Sequence, residues 1–133
     1  MREGFKLEIV NPEKSFLSKD GVSEVVVPGF EGDMGILKDH ISIISFLRPG
    51  LLRIIDSKSS EETFYVEDGI IEFKNNCLSI LTSNIFDIKK IDKNKVRDIL
   101  IEAEKESQNQ DMSDQAKYLV DHKIEVLKSL TLN

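Results

Sequence analysis

All seven glycines and all three prolines of this 133-residue chain fall before residue 70, and from Asp92 onward there is neither. Glycine and proline cut a chain into short extended segments, whereas a stretch free of both can continue as helix. The chain therefore divides near residue 88. Residues 1–88 are expected to form a β-sandwich domain, and residues 89–133 a C-terminal α-helical hairpin. In the first part, Phe5, Leu7 and Ile9 alternate with Lys6 and Glu8, the period of a half-buried strand. Val22 to Val27 is rich in β-branched residues, which suit a pleated surface. Ile41 to Phe46 and Leu51 to Ile55 are short apolar runs on either side of Arg48-Pro49-Gly50. Thr63 to Val66 and Ile70 to Phe73 flank Asp68-Gly69, a dipeptide that predicts a β-hairpin turn. Cys77 to Thr82 follows a second turn pair, Asn75-Asn76. Short strands at such spacing predict a sandwich or barrel, and no βαβ alternation is present.

Beyond Ile91 the period changes. Val96, Ile99, Leu100 and Ala103 lie at helical spacing, with Asp92 placed to cap the first turn. The polar segment Ser107 to Asp111 interrupts the pattern. A second stripe then runs through Met112, Ala116, Leu119, Val120, Ile124, Leu127 and Leu130, with Asp111 or Ser113 as its cap. Each helix carries one narrow apolar face and so needs a surface to pack on.

Composition removes whole classes of function. The net charge of −6 opposes a nucleic-acid partner held through phosphates. A single cysteine, Cys77, forms no internal disulfide and fits a reducing compartment, and its expected place is a buried strand position. No apolar run is long enough to span a bilayer, so any membrane connection is expected to run through partner proteins. The N-terminal segment reads as neither a signal nor a transit peptide. No catalytic residues are assigned. Gly29, Gly32 and Gly35 match neither a dinucleotide fingerprint nor a P-loop. His40 and His122 have no zinc-like companions, and no cofactor or metal is expected. Glu31 and Asp33 form a carboxylate pair in a glycine-rich loop. They are open to acid/base, calcium or plain turn readings.

Several motifs in register then resemble one family. Phe5 to Glu13, Val25-Val-Val-Pro-Gly29, Glu31-Gly-Asp-Met-Gly-Ile-Leu37 with His40, Leu47 to Ile54, and Phe64 to Phe73 are similar to the epsilon subunits of F-type ATP synthases, over residues 5 to 130. Asp68 stands where that family commonly has glycine. The resemblance implies a sandwich followed by a helical hairpin, and a non-catalytic rotor role. The sandwich would dock on the gamma subunit and on the ring of membrane c subunits, coupling proton flow to ATP synthesis. Glu31, Gly32, Asp33, Met34, His40 and Ser42 are the implied partner-binding residues, on a ring-facing edge. The hairpin would, in many members, restrain ATP hydrolysis through the alpha and beta catalytic subunits. The implied location is the cytoplasmic face of a bacterial inner membrane, as a peripheral protein. An unrelated partner-binding sandwich with a helical tail is the competing reading.

Two departures qualify that picture. Members that bind ATP carry an arginine and an alanine where this chain has Lys95 and Val96, after Ile91-Asp92. Ile91, Asp92 and Lys95 are thus a weak remnant of an ATP site, since lysine lacks the bidentate fork with which arginine holds a phosphate. From Asp92 to Asn133 acidic residues outnumber basic ones, so strong inhibition through acidic catalytic surfaces is not expected. Calorimetric titration with ATP is expected to give no binding at micromolar concentrations. A micromolar dissociation constant would refute the loss of that site.

Overall fold

The structure is a computed structural model describing residues 4–131. Residues 1–3 and 132–133, at the outer ends of the two expected segments, lie outside the described residues. In chain order come β1 (Phe5–Asn11), β2 (Lys14–Gly29), β3 (Gly32–Leu37), β4 (Ile43–Leu47), β5 (Gly50–Asp56), β6 (Glu61–Val66), β7 (Gly69–Lys74), β8 (Cys77–Thr82) and β9 (Ile85–Asp87). Two helices follow, α1 (Lys93–Ser107) and α2 (Asp114–Thr131). The architecture is a β-sandwich followed by a helical hairpin.

The long strand β2 belongs to both layers. Its first half pairs with β1, which runs parallel to β8 and leads through β7 to β4. Its second half lies between β3 and β5, and β5 leads through β6 to β9. Val22 and Val25 are both fully buried, yet an odd spacing would put them on opposite faces of a regular strand. A bulge between Val22 and Glu24 restores the phase. The Ser23 hydroxyl sits within 3.0 Å of the carbonyl oxygens of Ile55 and Asp56 at this irregularity. The core between the layers is formed by inward-facing residues of all nine strands, among them Leu7, Ile9, Ile36, Leu52, Ile54, Ile71, Leu78 and Ile80. Edge-to-face ring pairs Phe5–Phe73 and Phe16–Phe64 close it, with centroids 5.5 and 5.6 Å apart.

Strand β6 is buried on both sides: Phe64, Tyr65 and Val66 are consecutive core residues. Phe64 and Val66 face the sandwich core, while Tyr65 enters a second core with Val96, Ala103 and Leu127. Leu51, Phe86, Ile88 and Ile91 pack there too, as do Ile99, Leu100, Ile124 and Leu130 of the two helical stripes. The hairpin thus roofs the outer face of β5, β6 and β9. Asp92 caps α1 by accepting from the Asn94 amide at 2.9 Å, and the Ala116 amide donates to Ser113 Oγ at 3.1 Å at the start of α2.

Three expectations change. The Asp68-Gly69 pair does not close a hairpin. β6 pairs with β5 and β9, whereas β7 pairs with β4 and β8, so Glu67 to Gly69 carries the chain from one layer to the other. Glycine is needed there for space, because a Cβ on Gly69 would collide with the Leu81 carbonyl oxygen and come within 2.8 Å of Thr82 Cα. The loop expected between Pro28 and His40 is mostly β3, paired with β2 from Gly29↔Gly32 to Glu24↔Leu37 around the two-residue turn Phe30-Glu31. Cys77 opens β8 half-buried, outside the core. The Asn75-Asn76 turn does join β7 to β8, with φ of 53° and 54° as a tight two-residue hairpin requires.

Gly69→Ala is expected to destabilise the fold by about 2 kcal/mol or more in urea unfolding, because backbone on a neighbouring strand must move. Gly35→Ala, which meets only the flexible end of the Glu24 side chain, is expected to stay within about 0.5 kcal/mol of wild type.

Candidate functional site

A sheet packed on one side normally presents polar residues on the other. The outer face of β5, β6 and β9 is covered by the hairpin. The outer face of β4, β7, β8 and β1 is uncovered, yet it carries apolar side chains in register. Phe46 lies opposite Ile70, Ile70 opposite Leu81, and Leu81 opposite Val10, so a single cross-strand row spans four strands. These side chains are 64%, 41%, 51% and 39% exposed, and Ile44, two residues along β4 from Phe46, is 70% exposed. Neighbouring strands are about 4.8 Å apart, so the row is about 14 Å long. Scattered exposed apolar residues are ordinary, but a contiguous row of this kind marks an interaction surface.

At one end of this face the row opens into a groove. Phe46, Ile70 and Leu81 line it from the sheet, Phe30 comes from the β2–β3 turn, Met34 from β3, and Leu119 from α2. Its charged lining residues are Glu31, Asp33 and Asp68, with no lysine or arginine among them. Local backbone bonds fix the turn: the Phe30 amide donates to the Phe46 carbonyl and the Arg48 amide to the Pro28 carbonyl, both at 3.0 Å. Gly32, at φ +142°, adopts a backbone conformation that side chains disfavour. Glu31 and Asp33 are exposed. No group of three or more His, Cys, Asp or Glu side chains able to hold a metal ion occurs among the described residues.

The six partner-binding residues inferred from sequence do not form one surface. Glu31, Gly32, Asp33 and Met34 sit together at the groove end. His40 and Ser42 lie beyond the other end of β3, six residues away at about 3.3 Å each. There the His40 ring packs edge-on against Phe73 at 5.8 Å, and its Nδ1 is 2.7 Å from the Ile41 carbonyl. The Asp39 amide donates to Asn76 Oδ1 at 2.7 Å, and Asn76 Nδ2 donates to Asp39 Oδ1 at 2.9 Å, tying this loop to the β7–β8 turn. His40 therefore packs against Phe73 at that end of the sandwich. The ATP-site remnant is similarly occupied by structural tasks. Ile91 packs in the second core, and the Asp92 carboxylate caps α1. Lys95 is exposed beside a cleft lined also by Glu62, Asp87, Asp92 and Lys90. Three carboxylates against two lysines make a poor field for a triphosphate.

Residues 4–88 match the β-sandwich domain of the ATP synthase delta/epsilon chain. The ATP synthase epsilon chain of Pelagibacter ubique (strain HTCC1062) is 68% identical over 130 residues, spanning 98% of this chain and 99% of that one. The chain belongs to the ATP synthase delta/epsilon family. A second relative, the ATP synthase epsilon chain of Dichelobacter nodosus (strain VCS1703A), is 33% identical over 105 residues, covering 79% of this chain and 73% of its own. Among solved structures, a chain of the Euglena gracilis mitochondrial ATP synthase superposes with a TM-score of 0.75 at 20% identity, covering 98% of this chain and 81% of its own. A chain from the Tetrahymena thermophila mitochondrial ATP synthase gives 0.67 at 19% identity, covering 98% and 99%. At such identities these structures establish the fold. Delta/epsilon chains are non-catalytic, and this member is a structural subunit of ATP synthase.

Reasoning from the sequence missed Val10, Ile44, Phe46, Ile70 and Leu81. A signal was present. Ile43-Ile44 and Ile70-Ile71 are apolar at consecutive positions, and Ile43, Ile71 and Leu47 already account for the inward face. A strand apolar on both faces is one covered on both sides.

Tyr118 joins α2 to the groove rim. Its hydroxyl donates to the Phe30 carbonyl at 2.8 Å and accepts from Arg48 Nη1 at 2.6 Å, with its ring 5.2 Å from that of Phe30. Tyr118→Phe removes this bridge and leaves a further Arg48 donor without a partner, since Arg48 Nε is already unpaired. The expected cost is about 1 kcal/mol of hairpin seating. It should be read as roughly fivefold faster proteolytic cleavage of the hairpin, with unchanged sandwich stability.

Proposed function

We propose that the chain sits in the rotor of ATP synthase, with its uncovered sheet face against the gamma subunit and its Glu31–Met34 segment toward the ring of c subunits. The in-register row Val10, Leu81, Ile70 and Phe46 carries this reading: it is apolar, exposed and continuous, while the hairpin roofs the opposite face and meets this one only at the groove end. Core contacts of this type supply most of the affinity at protein interfaces. Glu31 and Asp33, at the adjoining tip, supply charge complementarity to a polar loop of the ring, which fixes register more than affinity. The neighbours found by structure belong to assemblies described as containing the c-ring and central stalk, which favours this placement.

In this role the chain performs no chemistry. It is a rigid clamp that lets ring rotation driven by protons turn the stalk as one body, coupling it to ATP synthesis on the alpha and beta catalytic subunits. His40 and Ser42, at the far end of β3, belong to a separate contact along the stalk. Membrane association at the cytoplasmic face of a bacterial inner membrane runs through the partners, and no helix among the described residues is long and apolar enough to cross. Contact between the hairpin and the catalytic subunits requires the hairpin to leave its seat, and its acidic excess disfavours strong restraint of hydrolysis.

Phe46→Asp is expected to weaken binding to an ATP synthase preparation stripped of this chain by about thirtyfold, the loss of one interface anchor, with unfolding unchanged. The paired change Glu31→Lys with Asp33→Lys should leave assembly intact and lower proton-driven ATP synthesis. Undiminished binding by Phe46→Asp would sink the docking face, and undiminished synthesis by the paired variant would sink the ring contact.

A further inference from the structure

α2 is fastened to the sandwich by side chains at two places. The first is Tyr118, held by Phe30 and Arg48 as described above. The second is Lys123, whose Nζ lies 2.9 Å from Glu67 Oε2, and the Tyr65 hydroxyl donates to that same oxygen at 3.0 Å. The Lys123 and Glu67 side chains are only 21% and 14% exposed, so the pair is largely withdrawn from water. Its separation would leave a poorly solvated carboxylate without its cation.

Between the two fastenings sits His122, one helical turn beyond Tyr118 and adjacent to Lys123. Its side chain is 21% exposed. The charged groups that act on it come from three elements. Arg48 lies on the β4–β5 connection, Asp33 on β3, and Glu125 on α2 itself, 3.8 Å from His122 Nδ1. Burial acts first against a charged ring, Arg48 adds to it, and the two outweigh the attraction of Glu125 and Asp33. The seated imidazole is therefore held below its ordinary pKa.

We propose that His122 makes the seating of the helical hairpin on the sandwich dependent on pH, the charged ring loosening α2. A protonated His122 sets a second cation near Arg48, whose guanidinium is already committed to Tyr118. The charged ring gains water as α2 swings outward, and that motion strains both fastenings. The sign follows from the two states. The pKa is near 6.5 when the hairpin is released and lower when it is seated. Seating is thus at full strength above about 6.5, weakens as pH falls through that value, and levels off below the seated pKa. This device depends on no partner, so it stands or falls separately from the docking face.

The test is hydrogen exchange of the full chain at pH 7.5 and 5.5, corrected for intrinsic exchange rates, with the sandwich strands as internal reference. Opening of residues 114–131 relative to the strands is expected to rise by about twofold or more at the lower pH. His122→Gln, which cannot charge, is expected to abolish that rise. An undiminished pH response in His122→Gln, or a flat response in wild type, overturns the proposal. Proton NMR titration of the unmodified chain provides an independent reading. His122 is expected to titrate below 6.5, and titration at or above that value overturns the proposal.

Discussion

The bulge between Val22 and Glu24 governs how the two layers meet. A regular strand of sixteen residues would carry its inward face straight on and could not serve both layers. With one extra residue inserted, Val22 faces the core from the β1 side and Val25 and Val27 face it from the β5 side. Pairing with β1 at one end and with β3 and β5 at the other makes β2 the spine of the sandwich. The sheet is consequently continuous around the core, and the crossings at Arg48-Pro49-Gly50 and Glu67-Asp68-Gly69 occur at the same end as the Phe30-Glu31 turn. The candidate docking groove takes Phe30 and Glu31 from the turn, Asp68 and Gly69 from the second crossing, and Phe46, Ile70 and Leu81 from the adjacent outer face.

Once the layers are closed, two outer faces remain and they are treated differently. The β5–β6–β9 face is roofed by the hairpin, which is why β6 has three consecutive buried residues. The β1–β8–β7–β4 face has no roof within the chain and yet is apolar along one row. Hydrophobic burial does not distinguish an internal partner from an external one, so the same pattern on a strand serves packing on one side of the molecule and docking on the other. The placement of Tyr118 on α2 links the two sides, because Phe30 lines the groove and its carbonyl also holds the helix. Hairpin seating and groove shape share that residue.

Local signals were legible where the local requirement was unambiguous. Asn75 and Asn76 tolerate positive φ and close a hairpin, Asp92 caps a helix, and both helical stripes contribute residues to the second core. Signals failed where one residue type answers more than one need. Gly69 reads as a turn former, but its function is to let Leu81 and Thr82 approach. Gly29, Gly32 and Gly35 read as a loop, although Ile36 and Val25 pair across an ordinary ladder. Phe5 to Ile9 announced its buried face through polar neighbours, but Ile44 and Phe46 could not, since both faces of β4 are apolar. His40 was grouped with Glu31 by the family resemblance, and an intervening strand separates them in space.

By itself the sequence determined the division into a sandwich and a hairpin, the positions of most strands and both helices, and, through motifs in register, membership of the delta/epsilon family. These follow from periodicity, glycine and proline placement and capping, all properties of a residue and its near neighbours. Only the tertiary structure decided which apolar face stays uncovered, which of the six candidate contact residues share a surface, and that His122 lies between the two attachments of α2. Each of these depends on pairs such as Phe46–Ile70, Leu81–Val10 and Lys123–Glu67, where contact is set by how the sheet closes and not by distance along the chain.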